Sequence, residues 1–208
     1  YNIANDTSAA INNIAPDAAD IAVESFKKTK ELDVDNDMGD QYALYLLNLT
    51  NIFYQKGADG FRSSNFPMAI TNFKQAFDIA KMDDRFDTVA AFNIGMSGVY
   101  SDQPEVAAEY LKKCFDAEFK DPRVYLFYSR AKKQLGDTTM AFEILNLGRE
   151  YFPNENSLQL EEAQLFLETG KNDKLINSLK ESIDADPTNP NLYRVLGQTY
   201  ENTGDVDN

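Results

Sequence analysis

Apolar and polar positions along this chain alternate with helical spacing, most clearly near its end. In LYRVLGQTYENTGD (residues 192–205), Tyr193, Leu196, Gly197 and Tyr200 share one helical face, and a Gly-Asp pair closes the segment. Gly170 in LETGKND and Gly136 in QLGDTTM precede Gly204 by one and two steps of 34 residues, and Pro153 and Pro187 keep the same step. Two interleaved series of one period identify an internal repeat.

Between each glycine and the next proline lies a second helical pattern. Ala69, Phe73 and Ala76 fall on one face as small, large, small, and the spacing returns as Ala22, Phe26, Thr29; as Ala107, Leu111, Cys114; as Ala141, Leu145, Gly148; and more loosely as Leu175, Leu179, Ser182. Small residues let two antiparallel helices approach, and the large one fills the space between them. Each unit is therefore expected to be a helical hairpin. Its glycine takes a left-handed conformation after the first helix, and its proline stops the second.

This pattern resembles the tetratricopeptide repeat, with its aromatic-x2-Leu-Gly-x2-Tyr first helix, Ala-x3-Phe second helix and closing Pro. Residues 190–204 match the first helix best and residues 69–76 the second. Copies are degenerate: 122–155 keeps Tyr125, Tyr128, Gly136, Ala141 and Pro153, whereas 156–189 places Gln159 and Glu162 at the aromatic and leucine positions. The resemblance implies an all-α, right-handed α-solenoid in one repeat domain over 1–208, with copies at about 3–36, 43–84, 88–121, 122–155 and 156–189 and a lone first helix at 190–204. In the second copy, Gly57 is expected to end the first helix, and ADGFRSSN, with Phe61 and Arg62, to form a seven-residue insertion in the turn. The last helix keeps an internal-repeat pattern rather than a polar outer face, which points to a fragment of a longer chain over a terminal cap.

Composition narrows the chemistry. The chain has 208 residues, 43% of them hydrophobic, enough for a substantial core. Its 20 basic and 34 acidic residues give a formal charge of -14, which argues against nucleic acid as a partner. There is no histidine and one cysteine, Cys114, so histidine-based catalysis, histidine-ligated zinc and an internal disulfide are excluded. Cys114 occupies a close-packed position and reads as core. No apolar run is long enough to span a membrane. An acidic, cysteine-poor chain that opens at Tyr1 and resembles degenerate repeat proteins of bacterial cell envelopes favours the periplasm, with the cytoplasm as the alternative.

Two acidic motifs invite chemistry. In DVDNDMGD, Asp33, Asp35 and Asp37 alternate as in a calcium loop, but the glycine comes one residue late at Gly39 and the closing glutamate position is Leu44. The segment reads as an acidic connector, and no metal or cofactor is expected. Carboxylate pairs such as Glu161–Glu162 and Glu31–Asp33 read as solvated faces, so the chain is taken as non-enzymatic.

The first helices carry the interaction chemistry, because the resemblance implies that they line a groove for an extended peptide or a partner helix. RVYLFYSRAKKQ (123–134) holds four basic residues and no acid, with Arg123 and Arg130 on one face two turns apart. Arg194 and Gln198 are expected in comparable places two copies on. The carboxylate clamp of chaperone-binding tetratricopeptide domains maps onto Asn51, Asn93 and Arg123, while Leu47 and Phe127 replace two of its cations. The expected partner is thus a protein or peptide, acidic or carboxylate-bearing, held by Asn51, Asn93, Arg123, Arg130, Arg194 and Gln198. The basic residues also have a local use, offsetting Glu118 and Asp121. The competing reading is a structural spacer of a longer chain that self-associates through 190–204.

Overall fold

The computed structural model describes residues 18–33 and 39–203. Ten helices, and no strand, occur among them: α1 Ala18–Leu32, α2 Gly39–Arg62, α3 Phe66–Met82, α4 Thr88–Tyr100, α5 Pro104–Asp116, α6 Pro122–Gln134, α7 Thr138–Tyr151, α8 Asn156–Glu168, α9 Asn172–Ala185 and α10 Pro190–Thr203. They fall into two compact units, one ending at Phe119 and one beginning at Lys120. In each, consecutive helices pack as antiparallel neighbours.

Local sequence explains where the helices begin and end. Asn65, Asp87, Asp121 and Asp137 cap the starts of α3, α4, α6 and α7, each side chain accepting a backbone N–H of the first turn. Pro104 and Pro122 occupy first-turn positions that need no N–H. Four hairpin turns close with one bond, a backbone N–H donated to the carbonyl five residues back: Asn65 to Gly60, Gln103 to Gly98, Asp137 to Lys132 and Lys171 to Phe166, at 2.8–2.9 Å. The residue just before each donor is left-handed. Gly136 and Gly170 have φ of +80° and +67°, as expected, but the earlier turns use Ser64 at +57° and Asp102 at +54°.

The second hairpin departs from expectation. Gly57 does not end a helix and the turn holds no insertion, because α2 runs on through Gly57 and Gly60 to Arg62. A methyl group at Gly57 would lie 2.7 Å from the Phe73 ring, and one at Gly95 would overlap Leu111. Both glycines stand 16 residues before the large residue they face. Gly60 and Gly98 likewise come against the backbone nitrogens of Ala69 and Ala107, nine residues on, where a methyl would lie 2.8 and 2.9 Å away. These glycines let helices touch. The extra residues instead lengthen α2 to 24 residues and α3 to 17, against 13 or 14 in later helices. Phe61 packs edge-on against Phe66 and Tyr100, at 5.4 and 5.8 Å between ring centres, and Arg62 pairs with Asp59.

Unit 1 buries Val23, Leu46, Leu49, Phe53, Ala76 and Ile79 in one cluster. Unit 2 builds one cluster on Leu126, Ala141, Leu145, Leu158 and Leu165 and another on Ala163, Phe166, Leu175, Leu179 and Leu192. Cys114 is fully buried and its Sγ lies 3.4 Å from the Thr88 carbonyl. Burial, with Asp87 nearby, pushes its thiol up to about 12, which suits a core residue. Asp33 ends the described part of the acidic connector, and residues 34–38 lie outside it.

Candidate interaction surfaces

In unit 1, Asn51 is exposed on α2 beside buried Thr50 and Phe53. Asn93 is half-buried on α4, and its carbonyl accepts the Ser97 hydroxyl at 2.7 Å. Of the two clamp positions without a cation, Leu47 is exposed and Phe127, in unit 2, is buried.

In unit 2 the basic segment is engaged with acids and rings of its own chain. Arg123 sits at the first turn of α6, where its Nε donates to both oxygens of Asp121 at 2.9 and 3.1 Å and its Nη2 reaches Oδ2 at 2.5 Å. These bonds hold the Asp121 carboxyl below its usual range and the guanidinium above its own. Arg130 donates through Nε to Glu161 Oε2 at 2.7 Å, with Nη2 at 2.5 Å from the same oxygen. Lys133 stands 3.6 Å from Glu161 and 3.2 Å from Glu168. The Glu168 carboxyl is lowered, chiefly by the hydrogen bond from Gln164 and then by Lys133. The Lys132 ammonium lies 5.8 Å from the centre of the Tyr128 ring. On α10, Arg194 Nη1 donates to Gln198 Oε1 at 3.0 Å, and both side chains are exposed.

Glu161 and Glu162 are not solvated. They are only 7% and 3% exposed, which corrects the sequence-based expectation for this pair. Glu161 serves α6 through Arg130 and Lys133, whereas Glu162 accepts from Arg149 on α7 and from the Ser178 hydroxyl on α9, the latter at 3.2 Å. Arg149 also donates to Ser178 Oγ at 3.2 Å. Carboxylates can be buried here because cations on two neighbouring helices meet them. The hint in the sequence was Glu162, an acid at the leucine position of the repeat pattern, in a copy that follows one carrying Arg130 and Arg149.

Two further features lie at the α8–α10 end of unit 2. A cleft of about 750 Å³ opens along the loops that join α7 to α8 and α9 to α10, and an apolar recess of about 40 Å³ adjoins it. On α10, Leu192 is buried in the core, Tyr193 is half exposed and Gly197 faces open space, with nothing within 4 Å of a methyl placed there.

Among the described residues there is no group of three or more side chains able to hold a metal ion, and no helix long and apolar enough to cross a membrane. No protein-family model matches the sequence, and no curated protein matches it. Solved structures do. A crystal structure of MamA superposes on 76% of this chain and 84% of its own with a TM-score of 0.62 at 20% identity. TTC0263, described as a thermophilic TPR protein in Thermus thermophilus, covers the same shares with a TM-score of 0.56 at 20% identity. The chain has a tetratricopeptide-type fold. A further structure, MamA AMB-1, agrees at 18% identity and a TM-score of 0.57. At these identities the likeness is one of fold, and the tetratricopeptide-type helix pairs are the frame on which function must be placed.

Proposed function

We infer that this tetratricopeptide-type chain is a non-catalytic protein-interaction scaffold, whose first helices receive an extended or helical segment of a partner. One observation carries the reading: exposed polar side chains are mounted on helices whose other face is core. Asn51 lies beside buried Phe53, and Gln198 beside Thr199, which is fully buried. A rigid helix presents such groups with little ordering cost on the receptor side.

The ion pairs refine the partner chemistry. Arg123 remains 60% exposed at its side chain, so a partner carboxylate can reach its guanidinium alongside Asp121. Arg130 is held by a buried carboxylate and serves the fold first. An acidic or carboxylate-bearing segment would therefore meet Arg123 and Arg194, with Gln198 as a neutral contact, in unit 2, while Asn51 and Asn93 are the neutral contacts that unit 1 offers by itself. The test places photo-crosslinking residues at Asn51 and Gln198 and compares the proteins captured from source-cell lysate with those taken by Arg123→Glu/Arg194→Glu. A defined partner lost from the folded variant supports the reading. Capture unchanged by charge reversal, or no site-specific crosslink, refutes it.

A second reading rests on Gly197. Its counterparts Gly57 and Gly95 each face a large side chain of the following helix, whereas Gly197 faces open space. The half-exposed face of α10 therefore favours assembly through this helix. Light scattering of wild type and Tyr193→Lys separates the two: a shift to a smaller species supports assembly, and identical masses exclude it.

A further inference from the structure

The cleft of unit 2 is a surface distinct from the first-helix positions, since none of those residues lines it. Carboxamides are the commonest side chains on its wall: Asn146 on α7, Asn154 in the following loop, Asn156 and Gln159 on α8 and Asn189 before α10. Gln159 donates to the Pro153 carbonyl at 3.1 Å, and Asn189 accepts the Asn191 N–H at 3.1 Å. Asn146, Asn154 and Asn156 are exposed and make no side-chain hydrogen bond to another described residue. A carboxamide both donates and accepts, so a row of them matches the alternating N–H and C=O groups of an extended peptide backbone.

Charge and shape narrow the occupant. Glu150, Glu181 and Asp186 border the cleft, while Arg149, the one cation among the described residues that line it, is already held by buried Glu162. The cleft is therefore negative. An anionic ligand, including a phosphate backbone, would be repelled, and among the described residues no aromatic ring lines the wall to stack on a sugar or a base. The recess shares Asn156, Gln159, Ser182, Asn189 and Leu192 with the cleft and continues inward between Leu160, Ala163, Leu175, Leu179 and Val195. At about 40 Å³ it has room for the end of a small aliphatic side chain and not for an aromatic ring.

We propose that this cleft binds an extended, basic peptide segment, with backbone amides paired to the asparagines, one Val-sized side chain in the recess and a flanking Lys or Arg against Glu150, Glu181 and Asp186. The partner differs in sign from the acidic segment assigned to Arg123 and Arg194. The two surfaces can therefore be tested apart.

The experiment selects a displayed library of random heptapeptides on the full chain, then measures the enriched peptides, synthesised with blocked termini, by fluorescence polarisation. Three folded proteins are compared: wild type, Asn156→Arg/Glu181→Arg in the cleft, and Arg123→Glu/Arg194→Glu on the first helices. Asn156 and Glu181 are exposed, so the cleft variant keeps its core, which circular dichroism checks. The expected result is enrichment of peptides joining Lys or Arg to Val, Ile or Leu, with binding at least tenfold weaker to the cleft variant and unchanged for the first-helix variant. Replacing the aliphatic residue with Gly or Trp should weaken binding similarly. Failure to enrich any peptide overturns the proposal, as do acidic consensus sequences or peptides that bind the cleft variant as well as wild type. Loss only in the first-helix variant would assign the peptides to that other surface and overturn it as well.

Discussion

Removing Arg149 strands a carboxylate. Glu162 is 3% exposed, and its donors are the Arg149 guanidinium and the Ser178 hydroxyl at 3.2 Å. Arg149→Ala deletes the only countercharge paired with Glu162 among the described residues and leaves a neutral hydroxyl, which does not offset desolvation of a charge. The expected loss is about 3–5 kcal/mol, roughly two to nearly four powers of ten in the folding constant. Glu162→Leu is milder, about 1–2 kcal/mol, because Arg149 is 26% exposed and its long stem can carry the guanidinium to water. Glu162 also stands where the repeat pattern has leucine, as at Leu196 in the next first helix, so a leucine suits the site. The double variant Arg149→Met/Glu162→Leu should therefore return to within about 1 kcal/mol of wild type, or above it. Urea unfolding followed by far-ultraviolet circular dichroism measures the wild type and the three variants. Hydrogen exchange of residues 156–168 localises the effect to α8. The reasoning fails if Arg149→Ala loses less than about 1 kcal/mol, or if the double variant is no more stable than Arg149→Ala.

The glycines separate by environment. Gly95→Ala, whose methyl would overlap Leu111, should lose about 1–3 kcal/mol, whereas Gly197→Ala should gain about 0.5–1 kcal/mol from helix propensity alone; thermal unfolding of the two decides this. Asp102 occupies the left-handed turn position that Gly136 and Gly170 take in later copies, so Asp102→Gly should gain about 0.5–1 kcal/mol and Gly136→Ala lose about 1 kcal/mol, read from urea midpoints. Cys114, buried and with its thiol pushed up to about 12, should react with an aromatic disulfide reagent at about pH 8 roughly a hundredfold more slowly in the native chain than in urea; equal rates would show that the helix pair opens freely.

The period of 34 made the hairpins legible, and Gly136 and Gly170 fill the left-handed role assigned to them because that backbone conformation has a sequence preference. Gly57 shows the limit. A glycine that ends a helix and one that admits a neighbouring ring look alike in a single copy, and only the shared spacing of 16 residues, Gly57 to Phe73 and Gly95 to Leu111, distinguishes them. The first-helix candidates were legible as residues on a face, but not as free or engaged groups. Arg130 lies 31 residues from Glu161, and nothing local in the sequence announces a contact at that range. Glu161 and Glu162 were misjudged for the same reason: acids on a helix ordinarily face water, and their burial depends on cations supplied by other helices. The cleft was not legible because it forms where helix ends and loops of separate copies meet, and the repeat pattern of a single copy does not report that meeting.

The adjacent acids of α8 restrict how such an array can change. Successive residues leave a helix about 100° apart, so Glu161 and Glu162 project toward different neighbours, one reaching α6 and the other α7. Their contacts act as a key with two teeth, fixing the helix against rotation about its own axis where the usual aromatic knob is missing. Repeat arrays ordinarily tolerate duplication, deletion and exchange of their units. The copy at 156–189 is a dedicated part: moved elsewhere, it would bury two acids without their arginines, so it can travel only together with the copy that precedes it.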